Sequence, residues 1–113
     1  MPPMLADRIA HILDAISDIQ TLLSGRSAAD LATDKIAHLA IERSFEIISE
    51  ASRHIPDTIK ARQPDIDWHG MAALGNRLRH AYHLVDMRLL WEIAERDLPP
   101  LKTFIERIVR NAD

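Results

Sequence analysis

The chain has 113 residues, 47% of them apolar but only 4% aromatic, with three glycines and no cysteine. That is enough for one core and too little for two; it excludes disulfides, thiolate metal centres and a cysteine nucleophile, and argues against a turn-rich all-β fold. Seventeen acidic residues against fourteen lysines and arginines give a formal net charge of −3, which excludes a generic polyanion-binding surface, so any nucleic-acid contact must be local.

The first predicted helix runs from Leu5 to Ser24. Leu5, Ile9, Ile12, Ile16, Ile19 and Leu23 alternate by four and three, a narrow seam suited to bundle packing, and Gly25 supplies the stop. Asp7, Asp14 and Asp18 on its polar face would be repelled by anionic lipid, so packing is expected rather than membrane binding. A loop follows through Arg26-Ser27-Ala28-Ala29-Asp30. The second helix starts near Thr33, whose hydroxyl can cap it while Asp34 favours the positive helix end, and reaches about His54. Its apolar positions (Ile36, Leu39, Ala40, Ile41, Phe45, Ile47, Ile48, Ala51) wrap more than half the circumference, which marks it as the central helix.

Pro56 begins a short helical turn to about Arg62, and Pro64 ends that region. Asp67 is placed to cap a third helix from Trp68 to about His83. A fourth runs from near Asp86 to Arg96 with Leu89, Leu90, Ile93 and Ala94 inward. Asp97 then caps a last helix beginning at Pro99 or Pro100, in which Leu101, Phe104, Ile105 and Ile108 pack. These elements predict an all-α up-down bundle of about five helices in a single domain, residues 1–113. No apolar run approaches the roughly 20 residues of a membrane span, and Met1-Pro2-Pro3-Met4 lacks the pattern of a secretion signal, so a cytoplasmic location with no membrane partner is expected.

The stretch Leu74 to His83 puts six polar or ionisable side chains into ten residues. At about 100° per residue, Met71, Leu74, Leu78, Ala81 and Val85 gather on one helix face, with Asn76, Arg79, His80 and His83 opposite and Arg77 and Tyr82 at the borders. Such a face can simply be solvated. It also has the means for chemistry: histidine exchanges protons near neutral pH, and arginine stabilises charge building on a phosphate. Together they suit metal-free RNA cleavage by attack of a neighbouring 2′-hydroxyl on phosphorus. His80 lies nearest the centre of the face, one turn from Asn76.

Glu42, Glu46 and Glu50 recur every four residues, with His38 and His54 in the same row. Di-iron bundles need Glu-x-x-His on two helices, and no Glu-x-x-His occurs here. The row therefore reads as a polar edge stitched by pairs such as Glu50 with His54 and Glu46 with Arg43; no metal or cofactor is expected. His11 and His69 have no partner at useful spacing.

From Ile41 onward the chain resembles the HepT-like family of the HEPN superfamily, toxin ribonucleases paired with nucleotidyltransferase antitoxins. The matching phrases are Ile41-Glu42-Arg43, Phe45-Glu46-Ile47-Ile48-Ser49-Glu50-Ala51, Pro64-Asp65-Ile66-Asp67-Trp68, Asn76 to Tyr82 with Val85-Asp86, Leu90-Trp91, and Asp97-Leu98-Pro99; the seam of the first helix suits the family too. The family motif is an arginine, four residues, a histidine, one residue and a tyrosine, usually with asparagine directly after the arginine. His80, Tyr82 and Asn76 match. Gly75 stands where the arginine belongs, and Arg79 is the first substitute, Arg77 the second.

The resemblance implies a HEPN-like homodimer whose two motifs line one cleft; Trp68 and Trp91, large apolar bodies at apolar-periodic positions, are expected to anchor the core or the dimer. It further implies a metal-independent RNA endonuclease, the toxin of a type VII-like toxin–antitoxin pair, silenced when its nucleotidyltransferase partner adds AMP to Tyr82. His80 is then the general acid or base and Arg79 the phosphate electrophile. Asn76, Arg77 and His83 bind or orient RNA (tRNA or mRNA), and Glu50 approaches the motif face to orient Arg79 or His80. The alternative is a non-catalytic helical dimer that binds, or is modified by, a nucleotidyltransferase, having lost cleavage with the arginine at Gly75.

Overall fold

The computed structural model describes residues 2–81 and 83–111. Among these the elements are six helices and no strand: α1 (Pro3–Leu23), α2 (Ala28–Ala32), α3 (Lys35–Arg53), α4 (Asp57–Lys60), α5 (Trp68–Arg79) and α6 (Met87–Arg110). The all-α class stands. On α1 the predicted seam is the buried one, with Ile9, Ile12, Ile16 and Ile19 fully inside and Leu5 and Leu23 partly buried at its ends. Gly25 follows at φ +71°, a conformation that glycine adopts without a Cβ penalty.

Where a loop is expected, Arg26 to Asp30, the chain makes the extra helix α2. Its cause is local: Ser27 Oγ accepts the Asp30 N–H at 3.1 Å while the Asp30 carboxylate accepts the Ser27 N–H at 2.9 Å, a reciprocal capping box. Leu31, with no solvent exposure, ties the turn to the core. Asp34, not Thr33, caps α3, accepting from the Ala37 N–H at 3.1 Å, while the Thr33 hydroxyl donates to the Asp30 carbonyl.

Both carboxylates are held below the ordinary range. For Asp30 the Ser27 backbone N–H dominates, then the Ser27 hydroxyl; for Asp34 the Ala37 N–H dominates, with the Arg26 guanidinium adding to it. A carboxyl depressed in the folded state contributes stability above its unfolded pKa, about 3.9, and loses it as pH falls through the folded value. The α2–α3 corner is therefore expected to be intact at pH 5 and to loosen only below about pH 4. Amide exchange at Asp30 and Ala37 across that range checks this.

α3 packs along α1 and α5. Its core row is Ala37, Ile41, Phe45, Ile48 and Ala51, and three residues expected in the wrap lie outside it: Ile36 is 76% exposed and Leu39 44%, and Ala40 is exposed too. They sit one position before and two and three after Ala37, on the flank facing water rather than α1 or α5.

The two expected C-terminal helices are one. α6 runs through Pro99 and Pro100, and Asp97 lies inside it, paired with the Arg96 guanidinium instead of capping. Prolines at 99 and 100 deprive the Glu95 and Arg96 carbonyls of their helical N–H partners. All four residues are exposed, so water can satisfy those carbonyls. The inward stripe Leu90, Ile93, Ala94, Leu98, Leu101, Phe104 and Ile105 continues across the prolines, and this burial outweighs a local cost of about 3 kcal/mol per interior proline. Trp68 serves the core as expected: its ring meets Phe104 edge-on at 5.9 Å, and its indole N–H donates to the Gln63 carbonyl.

Candidate functional site

Asp67 caps α5 as predicted, accepting from the Gly70 N–H at 2.9 Å. The other end differs. α5 stops at Arg79 and His80 is its cap residue, so His83 is not on the helix face with Asn76 and Arg79; it lies in the non-helical connection to α6. Ala81, expected on the packed face, is exposed, and Val85 is buried but off the helix. Tyr82 lies outside the described residues.

The early stop has a local explanation. The last carbonyls of a helix lack backbone partners, and a side chain can take one. The His80 Nδ1–H donates to the Asn76 carbonyl at 2.9 Å, bending the ring back over the final turn, and Arg77 and Arg79 place their charge where the helix dipole is negative. Since a carbonyl only accepts, this bond fixes the proton on Nδ1. In the neutral ring Nε2 then carries a lone pair ready to take a proton.

That ring lines an open cavity of about 930 Å³, within the roughly 300–1,000 Å³ of small-ligand sites. Asn76, Arg77, His83 and Asp86 bring polar groups to it, and Ala81, Leu84 and Val85 supply an apolar wall. The Asp86 carboxylate is already engaged as the α6 cap, accepting from the Arg88 N–H at 2.9 Å. Two imidazoles and a guanidinium thus share a concave surface where a polyanion can seat.

Arg79, the sequence's first choice, is exposed and not part of that surface; Arg77 is. Arg79 is on the side of Glu50. The Glu50 carboxyl is held below the ordinary range, first by its hydrogen bond with His54 Nε2 at 3.1 Å, with the charges of His54, Arg53 and Arg79 adding to this. Among the described residues Glu50 makes no hydrogen bond to Arg79 or His80, so its partner is the one the i,i+4 spacing gives. The Glu46 pair with Arg43 also forms, at 3.3 Å.

Gly75 is buried against α3. A Cβ built there would overlap the hydroxyl oxygen and Cβ of Ser49. Ser49 is itself fully buried, its hydroxyl reaching the Ala72 carbonyl at 3.5 Å. Position 75 is therefore a close approach of α5 to α3, and no side chain can leave it without displacing Ser49.

Two further members of the acidic row have a role that their spacing does not disclose. His38 and Glu42, both buried on α3, reach the backbone of Val85: Glu42 Oε2 accepts the Val85 N–H at 2.7 Å, and His38 Nε2 donates to the Val85 carbonyl at 2.7 Å. The ring nitrogen is also 3.4 Å from Glu42 Oε2. A polar i,i+4 pair inside an otherwise apolar stretch of helix was the one available signal.

Comparison with known proteins identifies the family. The profile of the family described as ribonuclease HepT-like matches residues 12–108. A Thermococcus cleftensis protein named "Probable ribonuclease HepT" is 37% identical over 102 residues, covering 90% of this chain and 93% of its own length. A Methanocaldococcus jannaschii protein, whose name marks it as a candidate RNase, is 33% identical over 95 residues, 84% of this chain and 87% of that one. No solved structure matches significantly. With the family profile matching residues 12–108 and a relative 37% identical over nearly its whole length, this chain belongs to the HepT-like ribonuclease family.

Proposed function

We propose that the chain is a metal-independent RNA endonuclease acting through His80, and the toxin of a cytoplasmic toxin–antitoxin pair. The observation that carries this reading is the Nδ1 anchor of His80 in a cavity that also holds Arg77 and His83. Nε2 takes the proton of a ribose 2′-hydroxyl, the 2′-oxygen bonds to phosphorus, and the phosphorus bond to the 5′-oxygen breaks. The leaving oxygen takes its proton from the His83 imidazolium, and Arg77 balances the charge that grows on the phosphoryl oxygens. The α3 carboxylates are engaged elsewhere, Glu42 with Val85, Glu46 with Arg43 and Glu50 with His54, which favours chemistry by imidazole and guanidinium alone.

A homodimer doubles the local positive charge and brings two motifs to one cleft; exposed Ile36 and Leu39 offer apolar surface of the kind such an interface buries. In this reading the partner nucleotidyltransferase silences the toxin by adding AMP to Tyr82, and the substrate is tRNA or mRNA. No described helix is long and apolar enough to cross a membrane.

The test is incubation of purified protein with tRNA and total RNA in the presence of chelator, beside Arg77→Ala and Arg79→Ala. Cleavage is expected to survive chelation. It should fall about 10²-fold or more in Arg77→Ala, as when one stabilising donor is removed from a developing oxyanion, and less than about tenfold in Arg79→Ala. The reverse ranking would return the phosphate role to Arg79. The sealed position at Gly75 favours a second reading, a non-catalytic dimer bound or modified by a nucleotidyltransferase; wild-type protein that cuts no RNA under any of these conditions, yet binds such a partner, would establish it.

A further inference from the structure

We propose that His38 and Glu42 are positioning residues for the His80 cavity, holding both backbone groups of Val85 so that residues 83–86 form a fixed wall. This rests on the nuclease reading of the same cavity. The described residues between α5 and α6 are non-helical, and Val85 among them is buried. Its N–H and carbonyl have no helical partners, and buried backbone groups require them. Glu42 supplies the acceptor and His38 the donor, each at 2.7 Å, from successive turns of one helix face.

Stability alone is a poor reason for this pair. A buried ionisable pair can often be replaced by apolar side chains of similar volume without loss. Apolar side chains could fill the space on α3, but they could not accept one group of Val85 and donate to the other. Among the described residues the buried His38 Nδ1 has no hydrogen-bond partner, so the bonding of this ring there is directed through Nε2, toward the Val85 carbonyl and Glu42.

What the clamp holds is the cavity itself. Leu84 and Val85 are its apolar wall, His83 enters it two residues upstream, and Asp86, one residue downstream, starts α6. With Val85 released, the second imidazole loses its fixed relation to His80 at the end of α5.

The test compares Glu42→Ala with Glu42→Gln, whose amide oxygen can still accept the Val85 N–H. Hydrogen exchange by mass spectrometry reads residues 83–86, and RNA cleavage reads the site. In Glu42→Ala, exchange in 83–86 should speed up about 10- to 100-fold, the factor that losing one buried hydrogen bond permits, with the α1 core unchanged. Its kcat should fall about tenfold or more with KM within about threefold, because the pair acts on geometry and not on RNA binding. Glu42→Gln should stay within about threefold of wild type in both readouts, since it keeps the acceptor. Faster exchange spread over the whole chain, equal defects in the two variants, or fast local exchange with undiminished cleavage would each overturn the proposal. Wild-type protein without RNase activity would remove the nuclease reading, and with it the positioning role; the exchange data would still show whether the clamp holds residues 83–86.

Discussion

Replacing His80 by alanine is expected to lower RNA cleavage by about 10²- to 10⁴-fold, the range that a positioned general base contributes, while the fold survives. The side chain is exposed and, among the described residues, makes one hydrogen bond, to the Asn76 carbonyl; losing it exposes a carbonyl that water can reach. Fold and chemistry can be separated further with His80→Asn. Its amide NH₂ can still donate toward the last-turn carbonyl, but it offers no basic nitrogen in place of Nε2. Both variants should therefore be equally inactive in single-turnover cleavage with chelator present, with far-UV circular dichroism and oligomeric state as in wild type. Activity retained by either would mean that the proton leaves the 2′-hydroxyl by another route.

The parts of this molecule legible from sequence are those whose causes lie within a turn or two. The α1 seam, the stop at Gly25, the cap at Asp67 and the start of α6 near Asp86 follow from periodicity and from side chains that bond three residues away or fewer. Errors arise where a distant or competing cause decides. Pro99 and Pro100 read as a helix start because local propensity says so, yet the stripe from Leu90 to Ile105 keeps one helix running through them. Periodicity carries the end of α5 too far because apolar positions recur as far as Val85, and Val85 is held by a clamp from α3, not by continuing the helix. Its partners lie 43 and 47 residues away in the chain, beyond the reach of any spacing rule. For the site, the motif identifies His80 and Asn76, and both line the cavity. Its spacing ranks Arg79 ahead of Arg77, whereas Arg77 lines the cavity, because spacing does not say which side of the turn borders it.

Gly75→Ala should destabilise the protein by about 1–3 kcal/mol, the usual cost of forcing extra atoms into a packed interface, and Ser49→Gly in the same chain should recover most of that loss. The reason is the contact itself: the atoms nearest a Cβ at 75 are the hydroxyl oxygen and Cβ of Ser49, both too close for it to fit. Directly touching residues are where additivity fails, so a double-mutant cycle read by urea unfolding should show a coupling of about 0.5–3 kcal/mol in favour of the pair. Additive effects would mean that Ser49 swings aside freely and that the glycine is not required by packing. The same cycle bears on function. Gly75→Arg alone should fold poorly, because a guanidinium stem must leave through Ser49. Gly75→Arg with Ser49→Gly opens that exit and restores the motif arginine. If this double variant cleaves RNA at least tenfold faster than wild type, the native chain works with an impaired site. If its rate is unchanged and still depends on His80, then Arg77 already supplies the positive charge, and the motif has moved its arginine two residues along the chain without losing its chemistry.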